Sequence, residues 1–248
     1  MKDAWRHFAA EFIGTFALVF IGGGAIITSP MLQVQAAVVN IAFAHGLILA
    51  LMVSATMRIS GHLNPAVTAG FLVTRRIAPT LAAWYWAVQL AGAAAAALLL
   101  KWMFWSQIET QYSLGTPSLY SQIGSGKGVV IEAVLTFFLV IVVFATAVDE
   151  RGAFKQISGL AIGLTITLDI LMAGGLTGGA MNPARAFGPE LVGNHWSHFW
   201  VWYVGPLAGG VIAASVYELL YLRPSRPAPV GPPETGVEEP GAGEAALS

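Results

Sequence analysis

Ser60-Gly61-His62-Leu63-Asn64-Pro65-Ala66-Val67-Thr68 and Thr177-Gly178-Gly179-Ala180-Met181-Asn182-Pro183-Ala184-Arg185 are two versions of one motif, and reading them decides the fold. Asn is a strong helix N-cap. Pro at the first helical position lacks only an N–H that would be orphaned there anyway. Asn64 and Asn182 are therefore each expected to open a helix. The apolar stretches they sit in, Leu63–Thr74 and Met181–Val192, are too short to cross a bilayer. The first reaches Arg75 and Arg76 after about ten residues, or about 15 Å, half of a ~30 Å hydrocarbon core. One Asn-Pro-Ala alone is no more than a turn or a cap. Two copies, each leading a short apolar helix, are specific.

The surrounding chain explains why a bilayer is the relevant scale. Of 248 residues, 56% are hydrophobic and only 10% charged, and the mean hydropathy is +0.70. Soluble domains carry about 25% charge. The net charge of −1 argues against a nucleic-acid partner. Without cysteine there are neither disulfides nor thiolate metal sites, and no metal or other cofactor is expected. Six stretches approach the roughly 20 apolar residues that a spanning helix needs: Phe8–Thr28, Ala36–Met57, Thr80–Phe104, Gly128–Val148, Gln156–Ala173 and His198–Leu222. The first is too long and Gly-rich for a signal peptide and reads as a span. The third holds the small-residue run Ala93–Ala97, which lets helices approach closely.

With six spans both termini share a side. That side receives Lys2, Arg6, Arg58, Arg75, Arg76, Arg151, Lys155, Arg223 and Arg226, against Lys101, Lys127 and Arg185 on the other. Nine against three predicts cytoplasmic termini, with the Asn182 segment entering from outside. The short termini suit a cell (plasma or inner) membrane. The stretch 223–248, rich in Pro, Gly and Glu, cannot bury a core and reads as a disordered cytoplasmic tail after a channel domain of residues 1–222.

The chain repeats itself. Glu11-Phe12-Ile13-Gly14-Thr15-Phe16 precedes the first motif as Glu132-Ala133-Val134-Leu135-Thr136-Phe137 precedes the second, giving repeats of about 8–104 and 128–222. Three spans per repeat make the halves inverted in the membrane, and inverted repeats with broken helices place a solute path near the midplane. Two half-helices entering from opposite faces meet there, each bringing roughly half a positive charge, which opposes any cation, hydronium included. The Asn amides still offer N–H donors. The residues before each Asn cannot be helical. The carbonyls of Gly61, His62, Leu63, Ala180 and Met181 are expected to line the path, since irregular backbone at depth survives only beside protein or water. Such a tube suits a small, neutral, hydrogen-bonding molecule.

On these motifs, together with Ala186-Phe187-Gly188-Pro189 and Gly205-Pro206-Leu207-Ala208-Gly209, the sequence resembles the aquaporin or major intrinsic protein family from Glu11 to about Leu220. The resemblance implies an all-α membrane protein of six tilted transmembrane helices plus two half-helices from re-entrant loops, in inverted three-helix repeats. It also implies a homotetramer with one pore per subunit, and a passive channel rather than an enzyme. The motif residues Asn64, Pro65, Ala66, Asn182, Pro183 and Ala184 would form its centre. The family's constriction uses four positions. Resemblance puts these on Arg185, Gly179, Ile170 and a second-helix residue. The last depends on a departure: the family usually has Ser-Gly-x-His before the first Asn, whereas Gly61 is followed directly by His62. Allowing that deletion gives His45; without it the position is Ala44. The Ala-His-Gly context favours His45. The set His45, Ile170, Gly179 and Arg185 is similar to that of plant vacuolar (tonoplast) aquaporins that also pass ammonia. Glycerol-conducting relatives usually carry Asp after the motif arginine, where this chain has Ala186, so water is expected first and ammonia second. A glycerol facilitator is the alternative. A proton-coupled secondary transporter using Glu11, Glu132 and Asp169 is the rival from another class.

Single residues have plainer readings too. Arg185 is costly at membrane depth, which points to function over a structural ion pair. His45 is either a filter residue or a packed histidine bonded to a carbonyl. Glu11 and Glu132 read as acceptors for loop backbone rather than a proton relay. Asp169, in the fifth span beside Ile170, reads either as facing a neighbouring loop or helix or as protonated. His195 and His198, among Trp196, Trp200, Trp202 and Tyr203, read as an interfacial aromatic belt before a metal pair.

Overall fold

The computed structural model describes residues 4–104, 111–152 and 155–223. The tail assigned to 223–248 lies, from residue 224 on, outside the described residues. Six helices are long and apolar enough to cross a membrane. In chain order the helices are α1 (Ala4–Met31), α2 (Ala37–Thr56), α3 (Pro65–Val73), α4 (Pro79–Met103), α5 (Ser125–Val143), α6 (Ser158–Thr177), α7 (Pro183–Gly193) and α8 (Val201–Tyr217). α5 and α8 each continue into a π-helical turn, Phe144–Val148 and Glu218–Leu222. α3 and α7 are the half-helices; the other six span.

The ends differ from the sequence expectation in two instructive places. The fifth span runs through Gly174 and Gly175 to Thr177, where Gly178 closes it at φ 84°, a conformation that costs glycine nothing. The sixth starts at Val201, because His198 has φ 54° and cannot sit inside a right-handed helix.

Packing follows the repeat. α1 lies on α4 and α5 on α8, the equivalent pair in the second half. α2 lies on α6, so the second spans of the two repeats meet. That contact is reciprocal: a Cβ on Gly46 would strike the Gly163 carbonyl oxygen, and one on Gly163 would strike that of Gly46. The same device joins α1 to α4, where Gly92 abuts the Phe12 carbonyl, and α5 to α8, where Gly209 abuts that of Ala133. In lipid, where apolar burial drives little association, such close backbone approach is what holds helices together. The half-helices cross over: α3 packs on α8 and α7 on α4. Ala93, Ala96 and Ala97 of α4 are fully buried, and Gly188 of α7 sits against the Ala93 carbonyl. Each repeat thus holds the other's half-helix.

Exposed tryptophans mark both ends of the bundle: Trp5 and Trp84 near the starts of α1 and α4, Trp102 at the end of α4, and Trp196 and Trp200 before α8. Their amphipathic rings suit the two interfaces of a bilayer.

Gly163→Val forces α2 and α6 apart against backbone. It is expected to cost about 1–3 kcal/mol, read as a lowered thermal midpoint of the detergent-solubilised protein. An unchanged midpoint would show that the contact contributes nothing.

Candidate functional site

The two motif loops meet in the interior. Asn64 and Asn182 are extended N-caps, at φ −158° and −146°, each followed by its Pro at the first helical position. The Asn64 Oδ1 accepts from Ala66 N at 2.8 Å; the Asn182 Oδ1 accepts from Ala184 N at 3.0 Å and Arg185 N at 3.2 Å. With its oxygen committed to its own helix, each side chain turns its nitrogen to the other loop. Asn64 Nδ2 donates to the Met181 carbonyl at 2.8 Å, and Asn182 Nδ2 donates to the Leu63 carbonyl at 2.9 Å. Two helix N-termini are thereby tied together, and one N–H of each amide is left over. Pro65, Ala66, Pro183 and Ala184 are buried around this centre.

The reciprocal bonds require carbonyls aimed across the gap. Leu63 and Met181 supply them in the same unusual way, both at φ 51°. A left-handed conformation at a residue other than glycine costs about 1–2 kcal/mol and persists only where the surroundings enforce it. The enforcing groups are carboxylates. Glu11 is fully buried and accepts four bonds: Ser60 Oγ at 2.5 Å and His62 N at 2.8 Å on Oε1, Leu63 N at 2.7 Å and Gln89 Nε2 at 2.6 Å on Oε2. Glu132 repeats the scheme, with Thr177 Oγ1 at 2.7 Å and Ala180 N at 3.0 Å on Oε1, and Met181 N at 2.8 Å on Oε2. The first loop is one residue shorter between its hydroxyl and its Asn, yet every equivalent donor reaches its oxygen. The deletion is absorbed between Ser60 and His62.

Of the carbonyls expected along the path, those of Leu63 and Met181 give one lone pair to the opposite asparagine. Gly61 and His62 border a cavity of about 210 Å³ with Met57, Phe71 and Tyr85 on the side where α2 ends. Ala180 is buried, packed with Ala186, Val201 and Trp202. On the other side of the asparagines lies a cavity of about 140 Å³, room for several waters. Arg185, Ile170, Gly178 and Thr116 line it. Gly179 is left-handed at φ 53°, and a side chain there would press on Ile170.

Arg185 is the third residue of α7 and is buried. Its Nη1 donates to the Gly115 carbonyl at 3.0 Å, and no ion pair forms on it among the described residues. His45 is buried as well, within electrostatic reach of Arg185. Its Nδ1 bonds the Ile41 carbonyl at 2.9 Å, Nε2 has no protein partner among the described residues, and the ring lies against Gly22 of α1. Ala44, the other reading, is only half-buried. Asp169 is buried beside Ile170 with Oδ2 unpartnered among the described residues, and nothing in the structure explains it. His198 pairs with Ser125 at 2.9 Å on the exposed rim.

Sequence reasoning missed several contributors. Gln89 donates to both Glu11 and Thr68, and Gly115 offers Arg185 its acceptor. Glu190 is fully buried on α7, with Oε2 accepting from Tyr203 Oη at 2.6 Å and Oε1 unpartnered among the described residues. A carboxylate inside the apolar stretch Met181–Val192 was the available signal for Glu190. The other two had none, because their partners lie far off in the chain.

Six spans, two half-helices meeting tip to tip and a cavity on either side of the tips define a membrane channel. The comparisons agree and give it a family. The major intrinsic protein model matches residues 1–217, and the chain belongs to that family. It is 40% identical over 254 residues to a probable aquaporin TIP3-2 of Arabidopsis thaliana, covering 96% of this chain and 90% of the relative. It is likewise 40% identical over 232 residues to aquaporin TIP2-1 of the same plant, covering 91% of each. Among solved structures it is similar to the aquaglyceroporin from Plasmodium falciparum, with a TM-score of 0.81, 25% identity, and coverage of 88% of this chain and 96% of that one. The protein is a multi-pass membrane channel for water or small solutes and not an enzyme.

Glu11→Gln turns an amide N–H₂ toward groups that themselves donate. It is expected to destabilise the protein by about 1.5–3 kcal/mol, the worth of a hydrogen bond to a charged group, and to lower solute flux with it. Unchanged thermal midpoint and flux would remove Glu11 as the support of its loop.

Proposed function

We propose that the chain passes water, with ammonia as a second cargo, and turns back protons and other ions. One observation supports this above all: the crossed Asn64 and Asn182 bonds, which set two helix N-termini against each other. Together these ends bring about one positive charge to the point of closest approach, while the spare amide N–H groups receive a neutral solute. Glu11 and Glu132 are not a proton relay in this reading. Each is occupied by loop donors, and a proton arriving on it would undo the support that holds the loop. That favours a channel over a proton-coupled transporter.

His45, Ile170, Gly179 and Arg185 form the constriction, outward of the asparagines. Arg185 donates to solute and repels cations. Ile170 and Gly179 keep the opening wider and less polar than a second histidine would. The relatives' aquaporin names favour water. The likeness to an aquaglyceroporin makes glycerol the second reading. Against it stands Ala186, at the position where the family resemblance puts Asp in glycerol conductors. Both termini and the tail face the cytoplasm, the subunits assemble as homotetramers, and each subunit carries its own pore.

Osmotic shrinkage of proteoliposomes, followed together with an internal pH dye, tests the class. Fast water flow without proton movement is expected; saturable uptake driven by a pH gradient would overturn the channel reading. Arg185→Val is expected to raise urea or cation flux by at least about tenfold, the effect of ~1.4 kcal/mol off a barrier. Unaltered selectivity would take Arg185 out of the constriction. His45→Phe is expected to lower ammonia flux several-fold more than water flux, and equal losses would return the histidine to a packing role.

A further inference from the structure

The ends of α3 and α8 form a basic groove that the pore does not use. Its volume is about 890 Å³, and Arg75, Arg76, Arg223, Glu218, Val73 and Leu219 border it. The buried Glu218 carboxylate organises two of the three guanidinium groups, Arg76 at 2.7 Å and Arg223 at 3.9 Å. Arg75 is exposed and makes no ion pair or side-chain hydrogen bond among the described residues. Among the described residues, three positive side chains against one negative leave the groove cationic.

Arg75 also stands where its side chain is not needed for the fold. It ends α3 in the left-handed conformation, φ 58°, with its N–H on the Leu72 carbonyl at 3.0 Å. Glycine takes that position without strain, whereas a side chain there costs about 1–2 kcal/mol. The residue present keeps a free guanidinium at the groove instead. Beside the charges are exposed apolar side chains, Val73 and Leu219. Arg223 directly follows the last residue of a spanning segment, which puts the guanidinium groups at headgroup depth. Charge above and hydrocarbon below match an amphiphile. The volume lies in the range of about 300–1,000 Å³ that houses a molecule rather than a lone ion.

We propose that this groove binds an anionic phospholipid, with its phosphate on Arg75, Arg76 and Arg223 and its acyl chains along Val73 and Leu219. The site is independent of what the pore conducts. The test is native mass spectrometry of the full chain in detergent, titrated with phosphatidylglycerol, with phosphatidylcholine of the same chains, and with inorganic phosphate as competitor. Phosphatidylglycerol is expected to be retained in preference to phosphatidylcholine. Arg75→Gln is expected to weaken that retention by about fivefold, the contribution of one arginine near an anionic surface, while leaving water flux unchanged. Arg58→Gln, which removes an exposed charge on the same face but outside the groove, is expected to have little effect. Equal weakening by Arg58→Gln, equal retention of the two lipids, or displacement of lipid by inorganic phosphate at matched concentration would each overturn the proposal. The last would mark a site for free phosphate instead.

Discussion

Backbone without regular hydrogen bonds has no water to turn to inside a bilayer, and the centre of this protein is built from such backbone. Residues 60–64 and 178–182 must leave helical geometry for the half-helices to start at mid-depth. Every N–H they expose there needs an acceptor. Glu11 and Glu132 provide it from the neighbouring first spans for the two residues before each Asn, His62 and Leu63 in one loop and Ala180 and Met181 in the other, and in doing so hold Leu63 and Met181 in a conformation neither would choose. The crossed asparagine bonds come after this in the causal order. They need carbonyls pointing across the gap, and the carboxylates put them there.

The pseudo-symmetry is mechanical as well as descriptive. Because α3 lies on α8 and α7 on α4, neither repeat can place its own half-helix alone. The α2–α6 contact joins equivalent glycines, so the same close approach is used from both sides. Where the halves differ, chemistry compensates. The first loop is a residue shorter, and Glu11 takes its fourth bond from Gln89, a side chain of α4, whereas Glu132 has three donors among the described residues. The second half carries the charges instead: Arg185 and Glu190 both belong to α7, while α3 has neither acid nor base along its length.

What could be read from the sequence was what local chemistry decides. Asn before Pro before an apolar run is a helix start wherever it occurs, so Asn64 and Asn182 were legible as caps, and six spans followed from hydropathy. Helix ends were less legible. Nothing in His198 announces a left-handed residue, and Gly174-Gly175 looks like an end when it is not one. The arginine's acceptor could not be read at all. It is a backbone carbonyl at Gly115, in a connection whose composition says only that it is a loop. Gln89 was hidden for the same reason, an unremarkable polar residue in an apolar span until its partners on α1 and α3 are known.

His45 shows where sequence pattern and geometry do different work. Its spacing to the shortened loop placed it near the constriction only by alignment, and either His45 or Ala44 satisfied that argument. The fold adds a physical constraint. The imidazole is pinned at Nδ1 by the Ile41 carbonyl and fits only because residue 22 has no side chain, since a Cβ there would overlap the ring. Its second nitrogen is left buried without a partner among the described residues, within electrostatic reach of Arg185. A buried polar nitrogen costs about 1–3 kcal/mol when nothing bonds it. In a channel the missing partner can be the solute itself, which would make the passing molecule part of what satisfies the wall.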